Sequence, residues 1–185
     1  MMAPMNRLPG IRPRPSLGRR LDMAARRSFP ASTTAILLLL SAAPLGIPGQ
    51  PELQASVALA CVFFWSLFRP ASMPPPVVFL LGMMADLLGY APPGVSVLTL
   101  LLVHGLVLRW RRLLVRLGFR LVWMAFLSVA AGAAGLEWLL TSLLTFRLLP
   151  PSPGVFQAAL GAGLYPLLAT LLTWAHQTLA EPERA

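Results

Sequence analysis

From Ala31 to His176 the chain is a succession of six apolar runs broken by Pro, Gly or Arg: Ala31 to Ile47, Leu53 to Phe68, Pro75 to Gly89, Gly94 to Leu108, Leu121 to Phe146 and Gly154 to His176. A water-soluble fold of 185 residues has one core, which cannot cover this many Leu, Val and Ala side chains without leaving apolar patches that aggregate. Composition agrees: 57% of residues are hydrophobic, 11% are charged and the mean hydropathy is +0.72, whereas a soluble domain carries roughly 25% charged residues. The expected fold is an all-α, polytopic integral membrane protein of about six transmembrane helices. Residues 1–30 read as a disordered, basic Arg/Pro-rich cytoplasmic tail, 31–176 as the transmembrane domain and 177–185 as a short cytoplasmic tail.

The net charge of +9 comes from Arg alone, and its placement separates a nucleic-acid binder from a membrane protein. One group, Arg7 to Arg27, precedes the first run, and a second, Arg109 to Arg120, lies between the fourth and fifth. Both flank apolar spans, as topology signals do. No recognition helix, zinc-finger spacing or aromatic RNA-binding box accompanies them, so no nucleic-acid partner is expected. A perpendicular span needs about 20 residues for a 30 Å hydrocarbon layer, which makes the third and fourth runs short. With six crossings and a cytoplasmic amino terminus, every arginine except Arg147 lies inside. A re-entrant third run would move the second arginine group outside, against the positive-inside bias. A multi-pass inner-membrane protein with both termini cytoplasmic is therefore expected. The "ARRSFPASTTAILLLL" stretch has the twin arginine of an export signal, but the following "SAAPLGIPGQPE" lacks a clean small-x-small cleavage site. In "RWRRLLVRLGFR", arginines at helical spacing predict an interfacial amphipathic turn against lipid phosphates, with continuation of the fourth helix or a cytoplasmic docking face as alternatives.

Ionisable residues within apolar runs are the functional suspects of a membrane protein. Counting about 1.5 Å per residue from the outer ends places Asp86 and Gln157 roughly 5 Å deep, and His104 and Glu137 roughly 15 Å deep. A His104–Glu137 hydrogen bond fixing the fourth helix against the fifth is expected, ahead of a proton relay, since no third titratable group extends the pair. Asp86 ends its helix, where the macrodipole disfavours a carboxylate. The short turn to Gly94 brings the free amides of Val95, Ser96 and Val97 within reach, so Asp86 reads as a clasp of the hairpin, with partner docking as the rival. Pro92 and Pro93 stiffen that turn. Small residues four apart, Ala131 and Gly135, and the Gly161–Gly163 stretch predict close helix approach, to a helix of the same chain as the commoner case or to one of a partner. The lone Cys61 excludes an intramolecular disulfide, and no catalytic set, metal cluster or cofactor motif is present at suggestive spacing. A non-enzymatic protein is expected.

The stretch "FFWSLFRPASMPPPVVFLLGMMADLLGYAPPGVSVLTLLLVHGLVLRWRRLL" resembles the rod-shape-determining membrane protein family MreD in its alphaproteobacterial form. The resemblance is carried by Trp65 with Arg69-Pro70, Gly82 with Asp86-Leu87-Leu88, the Pro93-Gly94 turn, the Arg111-Arg112 pair, and Tyr165-Pro166 in the last run. It departs at Pro92-Pro93-Gly94, where the family usually has Pro-Leu-Gly. The resemblance implies a scaffold subunit of the cell-elongation machinery, working with an MreC-type bitopic protein, an MreB-type actin-like filament and a RodA–transpeptidase pair that builds lateral-wall peptidoglycan. It also implies a fold similar to the substrate-binding subunit of energy-coupling-factor transporters. A vitamin-binding subunit is accordingly the alternative, with Asp86, Tyr90, Gln157 and Trp138 as a thin set of pocket residues. The structural or partner-binding candidates are Arg69, Asp86, Pro93, Gly94, His104, Arg111, Arg112 and Glu137.

The arginine distribution makes a topology prediction. In a Cys61→Ala background, a cysteine replacing Pro151 should react with an impermeant maleimide applied from outside the cell, and one replacing Gly118 should not. Outer-face labelling at position 118 overturns the six-crossing count.

Overall fold

The computed structural model describes residues 17–43, 46, 48–89 and 91–180. Among them the regular structure is entirely helical: α1 Leu17–Ser41, α2 Gln50–Phe68, α3 Pro75–Leu88, α4 Val95–Leu114, α5 Phe119–Thr145 and α6 Ser152–Ala180, with a short 3-10 turn at Pro70–Ser72. Three of them, Gln50–Phe68, Phe119–Thr145 and Ser152–Ala175, are long and apolar enough to cross a membrane; α3 is apolar but shorter.

Helix α2 occupies the centre. It starts with Gly49 in the left-handed region (φ 87°) and Pro51 in its first turn, where the missing N–H is no loss, and Glu52 there complements the positive end of the macrodipole. From Ser56 to Leu67 every residue is buried, so α2 is apolar around its whole circumference and sits inside the bundle. It packs against α1, α4 and α6, while α3 pairs with α4 and α5 with α6. The aromatic heart joins three helices: Phe126 of α5 stacks on Tyr165 of α6 at 4.2 Å between centroids, and Phe63 of α2 meets both edge-on at 5.2 and 5.6 Å.

The exterior is equally apolar. Leu39, Leu80, Leu87, Leu102, Met124, Leu143 and Leu167 are exposed. An apolar surface this extensive matches hydrocarbon, not water.

Three expectations change. Helix α1 begins at Leu17, inside the segment read as a tail, because Pro30 is accommodated within it. The proline removes one backbone donor, and hydroxyls bond back to the carbonyls around it: Ser32 and Thr33 donate to Phe29 O, and Thr33 and Thr34 to Pro30 O. The four earlier prolines of the tail lie outside the described residues, and 177–180 continue α6. Arg109–Leu114 prolong α4 as helix, with the turn to α5 confined to the next few residues, so the interfacial segment is a helical extension. Finally, Ala131 and Gly135 face outward, and α5 packs internally through Ala130, Ala133 and Ala134. A Cβ on Gly161 would lie in ordinary van der Waals contact with Ser56 of α2 and Phe126 of α5, and one on Gly163 would meet nothing within 4 Å.

Helices α3 and α4 cross closely, and a Cβ on Gly82 would fall 2.7 Å from Val97 Cα. Gly82→Ala should therefore force the hairpin apart and cost about 1–3 kcal/mol. Gly132→Ala, with nothing within 4 Å of its Cβ, should be neutral or stabilising by up to about 1 kcal/mol. Unfolding of the purified variants in mixed detergent measures both; equal stability of the two would contradict the close crossing.

Candidate functional site

Asp86 sits in the last turn of α3 and is 9% exposed. Its Oδ2 accepts the N–H of Gly94 at 2.7 Å and, at a longer 3.5 Å, that of Val97, while Oδ1 accepts the N–H of Ser96 at 2.9 Å. The carboxylate thus holds the donors at the start of α4, which would otherwise be orphaned. Two of the three amides expected from the sequence are the ones used. Gly94 stands in for Val95, whose N–H closes the turn onto Pro92 O at 3.2 Å. Gly94 has φ 99°, a conformation that side chains resist, and this aims its N–H at the carboxylate. Pro93 is exposed and acts only through the turn it stiffens.

At the other end of the α3–α4 unit, Arg111 Nε donates to Leu67 O at 2.8 Å, placing a cation on the negative end of α2. Arg69 ends α2, its N–H bonded to Trp65 O at 2.7 Å. The adjacent Arg112 is exposed. Asp86, Gly94 and Arg111 therefore belong to one frame linking α2, α3 and α4, to which Gln54 adds a bond from its Nε2 to Ala85 O at 3.3 Å.

The expected His104–Glu137 pair is not formed. His104, 2% exposed, shares a hydrogen bond of 2.7 Å between its Nδ1 and Ser66 Oγ of α2. Glu137 Oε2 accepts from Gln157 Nε2 at 2.7 Å, joining α5 to α6. The reason is length: α5 has 27 residues and spans about 40 Å. Depth counted from its end therefore puts Glu137 too far in. It stands level with Gln157, at the end of the bundle that carries the 146–151 connection. Trp138 Nε1 bonds Leu149 O there at 2.9 Å and pins that connection.

Glu137 and Gln157 line a cavity of about 270 Å³, together with Glu52, Gln54, Trp138 and Pro153. Its walls are mainly apolar with a few convergent polar groups, the general character of a small-ligand pocket, although smaller than most. Of the pocket residues expected from the sequence, Gln157 and Trp138 line it, joined by Glu137; Asp86 is spent on the hairpin, and Tyr90 lies outside the described residues. Ser66 and Gln54 escaped the sequence reading. The only signal they offered was being polar inside an apolar run. Among the described residues no group of three His, Cys, Asp or Glu side chains is placed to hold a metal ion.

No family model, curated protein or solved structure matches the chain.

Removing the clasp should be graded. Asp86→Asn keeps an acceptor oxygen and should accumulate in membranes below the wild-type level. Asp86→Leu leaves the amides of Gly94 and Ser96 unpaired, at a cost of a few kcal/mol, and should accumulate least. Quantitative blotting of membrane fractions gives the order. An Asp86→Leu protein present at normal level but stripped of co-purifying partners would make Asp86 a docking residue instead.

Proposed function

We propose that this chain is a non-enzymatic inner-membrane scaffold subunit of the bacterial cell-elongation machinery, crossing the membrane six times with both termini in the cytoplasm. One observation carries the reading: Asp86, Gly94 and Arg111, all within the stretch that resembles the MreD family, form one hydrogen-bonded frame that sets α2, α3 and α4 against each other. Residues used up in fixing helix positions suit a protein that acts through the surfaces it presents. The exposed Ala131/Gly135 face of α5 is a surface on which a partner helix can approach closely. The partners implied are an MreC-type bitopic protein, an MreB-type filament and a RodA–transpeptidase pair in a lipid bilayer, and the fold proposed is that of the substrate-binding subunits of energy-coupling-factor transporters.

The cavity bounded by Glu137, Gln157 and Trp138 favours a second reading, a vitamin-binding subunit of a transporter. It ranks below the scaffold because the space is small and Glu137, one of its two carboxylates, already accepts a hydrogen bond from within the protein.

Depletion separates the two. Loss of a scaffold should round the cells whatever the medium contains. Loss of a vitamin-binding subunit should slow growth without changing shape, and a vitamin mixture should restore it; rods with rescued growth would replace the scaffold reading with the transport one.

A further inference from the structure

At the end of the bundle opposite the Asp86 clasp lies a second recess, of about 410 Å³, between the last turns of α2, the start of α5 and the part of α6 from Tyr165 to Trp174. Phe64, Val122 and Tyr165 form its buried floor, and Phe68, Phe119 and Trp174 its exposed walls, Trp174 being 67% exposed. Leu117 also lines it, so the chain that borders the recess reads Arg116-Leu117-Gly118-Phe119-Arg120, with a cation at either end of the apolar stretch. Arg111, the neighbouring cation on α4, is taken up by Leu67 O, whereas Arg116 and Arg120 are exposed.

We propose that this groove holds one acyl chain of an anionic phospholipid, with the lipid phosphate between Arg116 and Arg120. Charge complementarity selects the occupant. Hydrocarbon tails are as apolar as the groove walls, so burying a tail supplies packing but little discrimination between lipids. Discrimination falls to the guanidinium groups, whose planar forks match phosphate oxygens through charge-assisted hydrogen bonds. A zwitterionic headgroup brings its own ammonium into the same positive field; an anionic headgroup does not. The bulky aromatic walls argue against a partner helix, since close helix packing in lipid uses small residues. Phe119 and Trp174 sit where aromatic side chains favour the boundary between tails and headgroups. The proposal relies on the six-crossing topology only for the choice of the cytoplasmic leaflet, and it holds whether the chain is a scaffold or a transporter subunit.

Native mass spectrometry of the full chain, released in mild detergent from membranes containing phosphatidylethanolamine and phosphatidylglycerol, tests it. Wild type should retain one phosphatidylglycerol, enriched about tenfold over the bulk ratio, as expected when a charge-assisted contact separates two lipids. Arg116→Gln with Arg120→Gln should return retention to the bulk ratio, while Arg112→Gln leaves it unchanged. Thr170→Trp, an exposed position lining the groove and distant in sequence from the arginines, should abolish retention by filling the space. Wild type carrying both lipids in bulk proportion overturns the proposal. So does enrichment that survives the double arginine change, enrichment that survives Thr170→Trp, or a co-purified protein subunit lost on Thr170→Trp in place of lipid.

Discussion

In hydrocarbon a free backbone N–H has no water to turn to, and the first turn of every helix exposes such groups. The start of α4 meets this constraint with Asp86, and much of the architecture follows from the solution. Because the carboxylate reaches Gly94 and Ser96 from the preceding helix, α3 and α4 must return on each other within a few residues. The same tight return lets Gly82 lie against the Val97 backbone. Once α4 is set, Arg111 arrives at the end of α2, and the central helix is held at its terminus by the hairpin beside it.

The remaining interior polar groups extend this plan around α2. Ser66 meets His104 of α4, and Ser56 Oγ donates to Gln157 O of α6 at 2.9 Å. Gln157 then passes a bond from its side chain to Glu137 of α5, and Trp123 Nε1 adds a further α5–α6 link to Ala162 O at 2.9 Å. Single interhelical hydrogen bonds of this kind contribute only about 0.6–2 kcal/mol in a membrane. Their value lies in register, since together they tie α2 to α4, α2 to α6 and, at two points, α5 to α6, while the aromatic cluster of Phe63, Phe126 and Tyr165 fills the space between.

The helix count and most helix limits could be read from the sequence because Pro, Gly and Arg interrupt the apolar runs at the turns themselves. The clasp was legible for the same reason: a carboxylate just before a Pro-Pro-Gly turn has few acceptor roles open to it. Depth was not legible. A run shows where a helix lies but not how far it extends or tilts, so a count from its end places Glu137 in the layer of His104, whereas the long α5 puts it beside Gln157. Orientation about the helix axis was equally hidden. Ala131 with Gly135 and Ala130 with Ala133 and Ala134 are alike in composition, and the positions of the neighbouring α4 and α6 decide which set turns inward. Pro30 misleads because a proline usually marks an end, whereas here the helix runs through it and the hydroxyls of Thr33 and Thr34 donate to its carbonyl.

The central position of α2 has a consequence for how the protein is made. The helix is second in chain order, yet part of its wall is supplied by α6, the last, and Phe63 finds its edge-on partners only when Phe126 and Tyr165 have been synthesised. During translation α2 enters the bilayer with an aromatic flank that lipid must cover until more than half of the chain has followed. A nascent protein arrested before α6 therefore presents membrane proteases and chaperones with an open seam along its innermost helix, and completion of the last helix is the event that closes it.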